Sequence, residues 1–446
     1  MDGNSKLTLA VDWLANRYPN VLQVIAGNES GAAGPLPTDN YNGITVGAAT
    51  LDKNGVYAEV GTVNTYDDDA FGARTSVSLL APGEPVETGN LNNTETFVAG
   101  TSEAAPHVTG TVALLQHYAE YQATNVGAPQ WTANAARHEV MKAVLINSAD
   151  KLKDTGDGNL LGMEHTAVDG CDSMGNNCST WLNSSAYTDD TIPLDIRMGA
   201  GLLNANRALK QFKSGAYGPN AAQVPAIGWD LGTTGGDDTV NVYALAQPLK
   251  ANSFVSITLN WDRQVFFNVD SGTANKFDRG DTFFPDCCLA ALTLYLMPAG
   301  QTDLSSAVAR SISAEMNLQH IFFQIQDTQK YEIWVKQVNS SFGESTDYGL
   351  AWWTVAAATQ ASLGDFNGDG VVDSQDYNVW RSDFGSGNAA ADANGDGVVN
   401  AADYVVWRDH LGQSVGSGAG SAGCRSRAYN ARIFDTPLCL GRANPP

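Results

Sequence analysis

The chain has 446 residues, 43% of them hydrophobic and 16% charged, and a formal net charge of −23. That length is too great for one ordinary core and predicts several domains, and the composition excludes a disordered chain. The acidic balance argues against nucleic acid and anionic membrane as partners, and fits solubility or cation binding. No apolar run reaches the roughly 18 residues a membrane helix needs. The opening MDGNSKLTLAVDW has no basic start before an apolar block, so it does not read as a secretion signal, and taken alone it points to the cytoplasm.

In chain order, LTLAVDWLANRYP places apolar residues at helical spacing, and VLQVIAG and ITVGAAT read as short buried strands. Asn28 follows the first strand at its carboxyl end, where reacting groups gather in an α/β sheet. Further on, GTSEAAPHVTGTVALLQHYA turns at Gly100 and Thr101 and is helical from Ser102, with Pro106 tolerated only in the first turns. Ser102 therefore stands at a helix N-terminus, where outward N–H groups favour developing negative charge. The commoner role of a serine there is to cap the helix. Cys171 and Cys178 flank CDSMGNNC, which a disulfide would suit in an oxidising compartment; spacing alone leaves the bridge and free thiols both open, and gives no zinc pattern.

From Asn220 onward, short β-rich runs such as TVNVYALA, FVSITLNWDR, ALTLYLMPAG and KYEIWVKQV alternate with Gly, Asn, Asp and Ser, the pattern of an antiparallel β-sandwich. Trp334, Trp352 and Trp353 offer a ligand platform or core, and strand aromatics are more often core. DFNGDGVVDSQDYNVWRSDFG and DANGDGVVNAADYVVWRDHLG then repeat at a 27-residue offset. The first loop presents Asp365, Asn367 and Asp369 at positions one, three and five, the Val371 carbonyl at seven, Asp373 at nine and Asp376 at twelve. The second presents Asp392, Asn394, Asp396, Val398, Asn400 and Asp403 in the same places. Calcium takes six to eight oxygens in such a loop, so two Ca2+ sites are predicted, and a module that folds only with metal. After it, 413–446 reads as a flexible tail.

GTSEAAPHVTG resembles the serine motif of the subtilisin-like serine peptidases, the subtilases. VIAGNESG resembles their oxyanion-asparagine segment, and GAGLLNANRAL at 199–209 the turn and helix that close their catalytic domain. The resemblance implies that Ser102 is the nucleophile, that Asn28 is the side-chain donor to the oxyanion, and that the substrate is a protein or peptide. Subtilases order their triad Asp, His, Ser, yet the 27 residues before Asn28 contain only Asp2 and Asp12 and no histidine. His107, His117, His138, His165, His320 and His410 each lie where a new site geometry would be needed. The expectation is a truncated, inactive chain whose secretion signal, aspartate and histidine lie upstream, and hence an extracellular or cell-surface protein. The alternative is a non-catalytic, calcium-dependent attachment protein on a relic protease scaffold.

The β-rich run resembles the β-sandwich domains appended to secreted bacterial peptidases, and the loop–helix repeat resembles type I dockerin modules. The latter implies a cohesin-like partner, although positions ten and eleven, Ser374–Gln375 and Ala401–Ala402, depart from a symmetric Ser/Thr pair. The predicted fold is thus multidomain: an N-terminally incomplete α/β parallel-sheet subtilisin-like domain at 1–214, an antiparallel β-sandwich at 215–358, and a small helical calcium-loop pair at 359–412.

Overall fold

A computed structural model describes residues 3–28, 37–52, 55–60, 74–90, 92–126, 131–171, 178–220, 223–268, 281–286, 289–339, 343–357, 364–367, 371–388, 390–394 and 397–412. Of the predicted calcium ligands, Asp369 and Asp396 lie outside the described residues, as does the tail. The chain forms two compact units, 1–358 and 359–446.

The first unit begins with helix α1 (Lys6–Arg17), capped by the Ser5 hydroxyl accepting from the Thr8 N–H at 3.1 Å. Strands β1 (Val24–Ala26), β2 (Ile44–Leu51), β3 (Val56–Glu59) and β4 (Leu79–Glu84) follow, then the hairpin of β5 (Val86–Gly89) and β6 (Glu95–Val98). Helices α2 (Thr101–Tyr121) and α3 (His138–Asn147), strands β7 (Thr166–Asp169) and β8 (Ser179–Thr180), the single turn α4 (Ser185–Thr188) and α5 (Ala205–Lys213) complete the α/β part. β2 pairs in parallel with β1 and β4, but antiparallel with β3, so the sheet is mixed rather than wholly parallel as predicted. The cause is local. Asp52 exchanges main-chain hydrogen bonds with Val56 and Gly55, and its carboxylate accepts the Val56 N–H at 2.8 Å, so the chain folds straight back on itself.

Next come β9 (Ile227–Thr233), β10 (Val240–Ala244), β11 (Phe254–Trp261), β12 (Val265–Asn268), β13 (Thr282–Pro285), β14 (Ala291–Pro298), β15 (Ala309–Ser311), β16 (Leu318–Gln324), β17 (Tyr331–Asn339) and β18 (Asp347–Trp353). Two four-stranded antiparallel sheets, β10-β17-β14-β15 and β16-β11-β18-β9, enclose a core that includes Val255, Ile257, Leu259, Leu294, Ile333, Val335 and Trp352. Trp352 is buried and donates to the Pro225 carbonyl at 2.9 Å, and Trp353 is nearly as buried, so both are core residues. Trp334 is half-buried and donates to Glu332.

Every residue of β11 is buried, although the strand alternates. One face, Val255, Ile257 and Leu259, fills the sandwich. The other turns Ser256 and Thr258 onto Asn147 of α3, at 2.9 and 3.2 Å from its Oδ1. All ten residues of α3 are buried, and Trp229, Leu318 and Ala351 of the sandwich share a core with Val46, Val108 and Val144. The change of composition near 214/215 is therefore no packing boundary, since α3 needs both sides. At Gly349 the contact leaves no room: a Cβ would stand 2.2 Å from the Glu139 carbonyl oxygen. Gly349→Ala should accordingly cost about 1–3 kcal/mol, read as a lower denaturant midpoint with an unchanged slope.

The second unit holds α6 (Ser374–Asp383) and α7 (Ala401–His410), packed around Phe366, Val372, Ala391, Val399 and Trp407. The two halves reach across reciprocally: Trp380 donates to the Asn400 carbonyl at 2.8 Å and Trp407 to the Asp373 carbonyl at 2.9 Å.

Candidate functional site

The Gly27 N–H closes the β1–β2 ladder on the Val46 carbonyl at 2.9 Å, and the chain leaves the sheet at Asn28, which is 7% exposed. On the other edge of β2, Gly83 of β4 lies against Ala48 and accepts the Gly100 N–H at 3.0 Å. Gly100 has φ +151°, a conformation that favours glycine, and it turns the chain into α2. The Thr101 hydroxyl then donates to the Gly27 carbonyl at 2.8 Å. That bond ties the start of the serine helix to Gly27, the residue before Asn28 at the strand end. Sequence reasoning gives Thr101 only a place in the turn. Its signal is its position beside Ser102, but its partner lies 74 residues away.

The Gly100 carbonyl accepts the N–H groups of Glu103 and Ala104, both at 3.2 Å. Helical pairing thus starts after Ser102, whose N–H belongs to the outward-pointing first turn. Ser102 itself is exposed. An accessible hydroxyl beside an outward helix-terminal N–H is suited to attack on a carbonyl and to holding the resulting oxyanion.

No histidine completes this set. His107 and His117 are exposed on α2 itself, five and fifteen residues beyond Ser102. His165 is held by Asp150 at 3.1 Å, and His410 by the Val406 carbonyl at 2.7 Å. His320 is buried against Thr258 at 2.8 Å, and burial, with the Lys151 charge beside it, pushes it well below its usual range. Asp12 is likewise no orienting carboxylate. It is fully buried, accepts the Tyr41 and Asn42 N–H groups at 3.0 and 2.9 Å, and pairs with Arg263 at 3.1 Å.

His138 lies at a junction of three segments. It meets the Pro19 carbonyl and Asp262 Oδ1, each at 2.8 Å, with Glu139 beside it. The Pro19 carbonyl and the Asp262 carboxylate can each accept from a ring N–H, an arrangement that favours the imidazolium in an ion network. Burial opposes the charge, but Asp262, Glu139 and the Pro19 carbonyl outweigh it and raise the His138 pKa above 6.5. A raised pKa contributes stability that is whole below the unfolded value and lost as pH rises through the folded one. The stability deficit of His138→Gln should therefore be largest near pH 5.5 and shrink steadily toward alkaline pH, which paired denaturation curves at several pH values check.

In the second unit, Asp376 and Asp403 are fully buried at position twelve of their loops. Asp376 accepts the N–H groups of Phe366, Asn367 and Asp373 at 2.7–2.9 Å. Asp403 accepts those of Asn394 and Asn400 at 3.1 and 2.8 Å. Each belongs to a capping box that fixes α6 or α7 at its loop. Asp392, at position one, accepts the N–H of Gly397, at position six, at 2.8 Å. No lysine or arginine pairs with Asp376 or Asp403 among the described residues. Buried carboxylates with only amides for company, ringed by further oxygen donors, fit a bound Ca2+. Ser374, Gln375, Ala401 and Ala402 are exposed.

Comparison with known proteins matches two regions of the chain. Residues 2–163 match the subtilase family and residues 363–411 the type I dockerin domain, a calcium-binding module. Pyrolysin of Pyrococcus furiosus is 28% identical over 223 residues, 44% of this chain and 15% of its own length. A thermostable alkaline protease of Halalkalibacterium halodurans is 30% identical over 148 residues, 30% of this chain and 37% of its own. The chain thus spans well under half of either relative. Among solved structures, the patellamide maturation protease PatA is 22% identical, with 48% of this chain and 60% of that one covered and a TM-score of 0.29.

Proposed function

We propose, from the match of residues 2–163 to the subtilase family and of residues 363–411 to the type I dockerin domain, that the chain is the serine-bearing part of a secreted serine-type endopeptidase that calcium-dependent docking attaches to a partner. The Thr101–Gly27 hydrogen bond carries this reading, because it supports Ser102 and Asn28 acting on one substrate carbonyl. Ser102 Oγ attacks that carbon, while the Asn28 amide and the Ser102 N–H hold the oxyanion. Losing one such donor costs about 100- to 1000-fold in rate.

The proton of Ser102 then needs an acceptor that these residues do not supply, and the hydroxyl is a weak nucleophile without one. Along α2, Pro106, Gly110 and Leu114 are exposed at four-residue intervals from Ser102, and Leu114 is 68% exposed. This surface suits a covering segment that brings the histidine and its aspartate. The Cys171–Cys178 disulfide supports an oxidising, extracellular setting. Two Ca2+ ions would be held by Asp365, Asn367, Asp369, Val371, Asp373 and Asp376, and by Asp392, Asn394, Asp396, Val398, Asn400 and Asp403. Ser374, Gln375, Ala401 and Ala402 would face a cohesin-like partner.

The absence of an available histidine also favours a second reading, attachment without proteolysis. Translating the DNA upstream of Met1, and assaying the longer polypeptide beside its Ser102→Ala variant on denatured protein, separates the two. Ser102-dependent hydrolysis by the longer polypeptide, with none by residues 1–446 alone, is the expected result. Hydrolysis that stays at the Ser102→Ala level in both leaves attachment as the function.

A further inference from the structure

Near the entrance of β2, α3 and residues 74–78 enclose a cavity of about 10 Å³ whose walls include Arg74, Ser76 and Lys142. That is room for one water-sized or monatomic occupant. Arg74 is 6% exposed and Lys142 4%. Arg74 Nη2 donates to Asp39 O at 2.7 Å while its guanidinium lies over the Tyr41 ring, 3.9 Å from its centroid, and Lys142 Nζ donates to Tyr41 O at 2.6 Å. Among the described residues neither has a carboxylate oxygen within 4.0 Å.

The acids nearby are engaged elsewhere. Asp39 accepts from the Gly3 N–H and the Thr8 hydroxyl, at 2.7 and 2.6 Å. Asp12 is paired with Arg263, and Asp262 with His138. Meanwhile Arg74 Nε, Arg74 Nη1 and Ser76 Oγ are buried with no hydrogen-bond partner.

We propose that this cavity is a halide site, in which a chloride ion is held by Arg74, Lys142 and the Ser76 hydroxyl. Two buried cations around one small space lack only a counter-charge, and three idle donors lack only an acceptor; a single monatomic anion supplies both. Water would satisfy the donors and leave the charges uncompensated. Burial holds the Lys142 ammonium down to about 8 and lowers Arg74 as well, the direction expected of cations kept from a counter-ion. The ion would tie the 39–41 turn, residues 74–76 and α3 together.

The test uses the whole, calcium-loaded chain with bromide as probe. At constant ionic strength, replacing gluconate by bromide should raise Tm along a saturating curve, and crystals grown in bromide should show an anomalous peak between Arg74 and Lys142. Lys142→Met should move the bromide midpoint up by about tenfold or abolish the response. Ser76→Ala, which removes only a hydroxyl, should weaken it less and serves if the lysine variant does not fold. A Tm that never saturates with bromide, or density at the site without an anomalous signal, would show water there and overturn the proposal.

Discussion

Chelating calcium from the intact chain should unfold residues 364–412 and leave the first unit folded. The second unit is too small to live on its apolar core: Phe366, Val372, Ala391, Val399 and Trp407 are its buried hydrophobics. Against that stand Asp376 and Asp403, each fully buried and unpaired with any lysine or arginine among the described residues. Without a cation, those charges and the remaining loop oxygens repel one another, so the metal's binding energy becomes the folding energy. The expected signals are loss of helical ellipticity from α6 and α7 and a red shift of Trp380 and Trp407 emission, both reversed by returning calcium. Asp376→Ala and Asp403→Ala should each reproduce the loss at calcium levels that saturate the parent. Ellipticity unchanged by chelation would refute the calcium assignment.

The second large effect belongs to Asp12→Ala, for which a loss of about 3–5 kcal/mol in the first unit is expected. The substitution strands Arg263, whose Nη2 otherwise bonds the Gly3 carbonyl and Asp12, and it orphans the amides of Tyr41 and Asn42. Most of the cost lies in leaving a buried guanidinium uncompensated, so Asp12→Ala combined with Arg263→Met should recover a substantial part of it. Urea titrations of the two variants and the parent measure this directly. A loss under about 1 kcal/mol for the single variant would mean that Asp12 is free to serve elsewhere.

The parts of the site that were legible in the sequence are those whose geometry is local. Gly100-Thr101-Ser102 announces its turn and helix start within three residues, and the dockerin loops carry their proposed calcium ligands at fixed offsets inside twelve. What stayed illegible joins distant residues: Asp12 with Arg263, 251 positions apart, and His138 with Asp262, 124 apart, have no signature, because any acid and any base would read alike. The fold follows the same rule. Alternation in FVSITLNW identifies a strand with one apolar face, but Ser256 and Thr258 read as solvent-facing until α3 is seen to cover them. The antiparallel turn from β2 to β3 depends on one Asp52 carboxylate, too small a cue for a sheet pattern to reveal.

The close seating of α3 on β18 at Gly349 bears on how this polypeptide can be divided. A gene cut after residue 214 would encode a helix stripped of one of its two walls, and its product would aggregate rather than yield a smaller folded protein. A cut near residue 358 falls at the boundary between the two compact units. Anyone dividing this polypeptide would find residues 359–446 a unit of their own and the sandwich a second half of the first unit's interior.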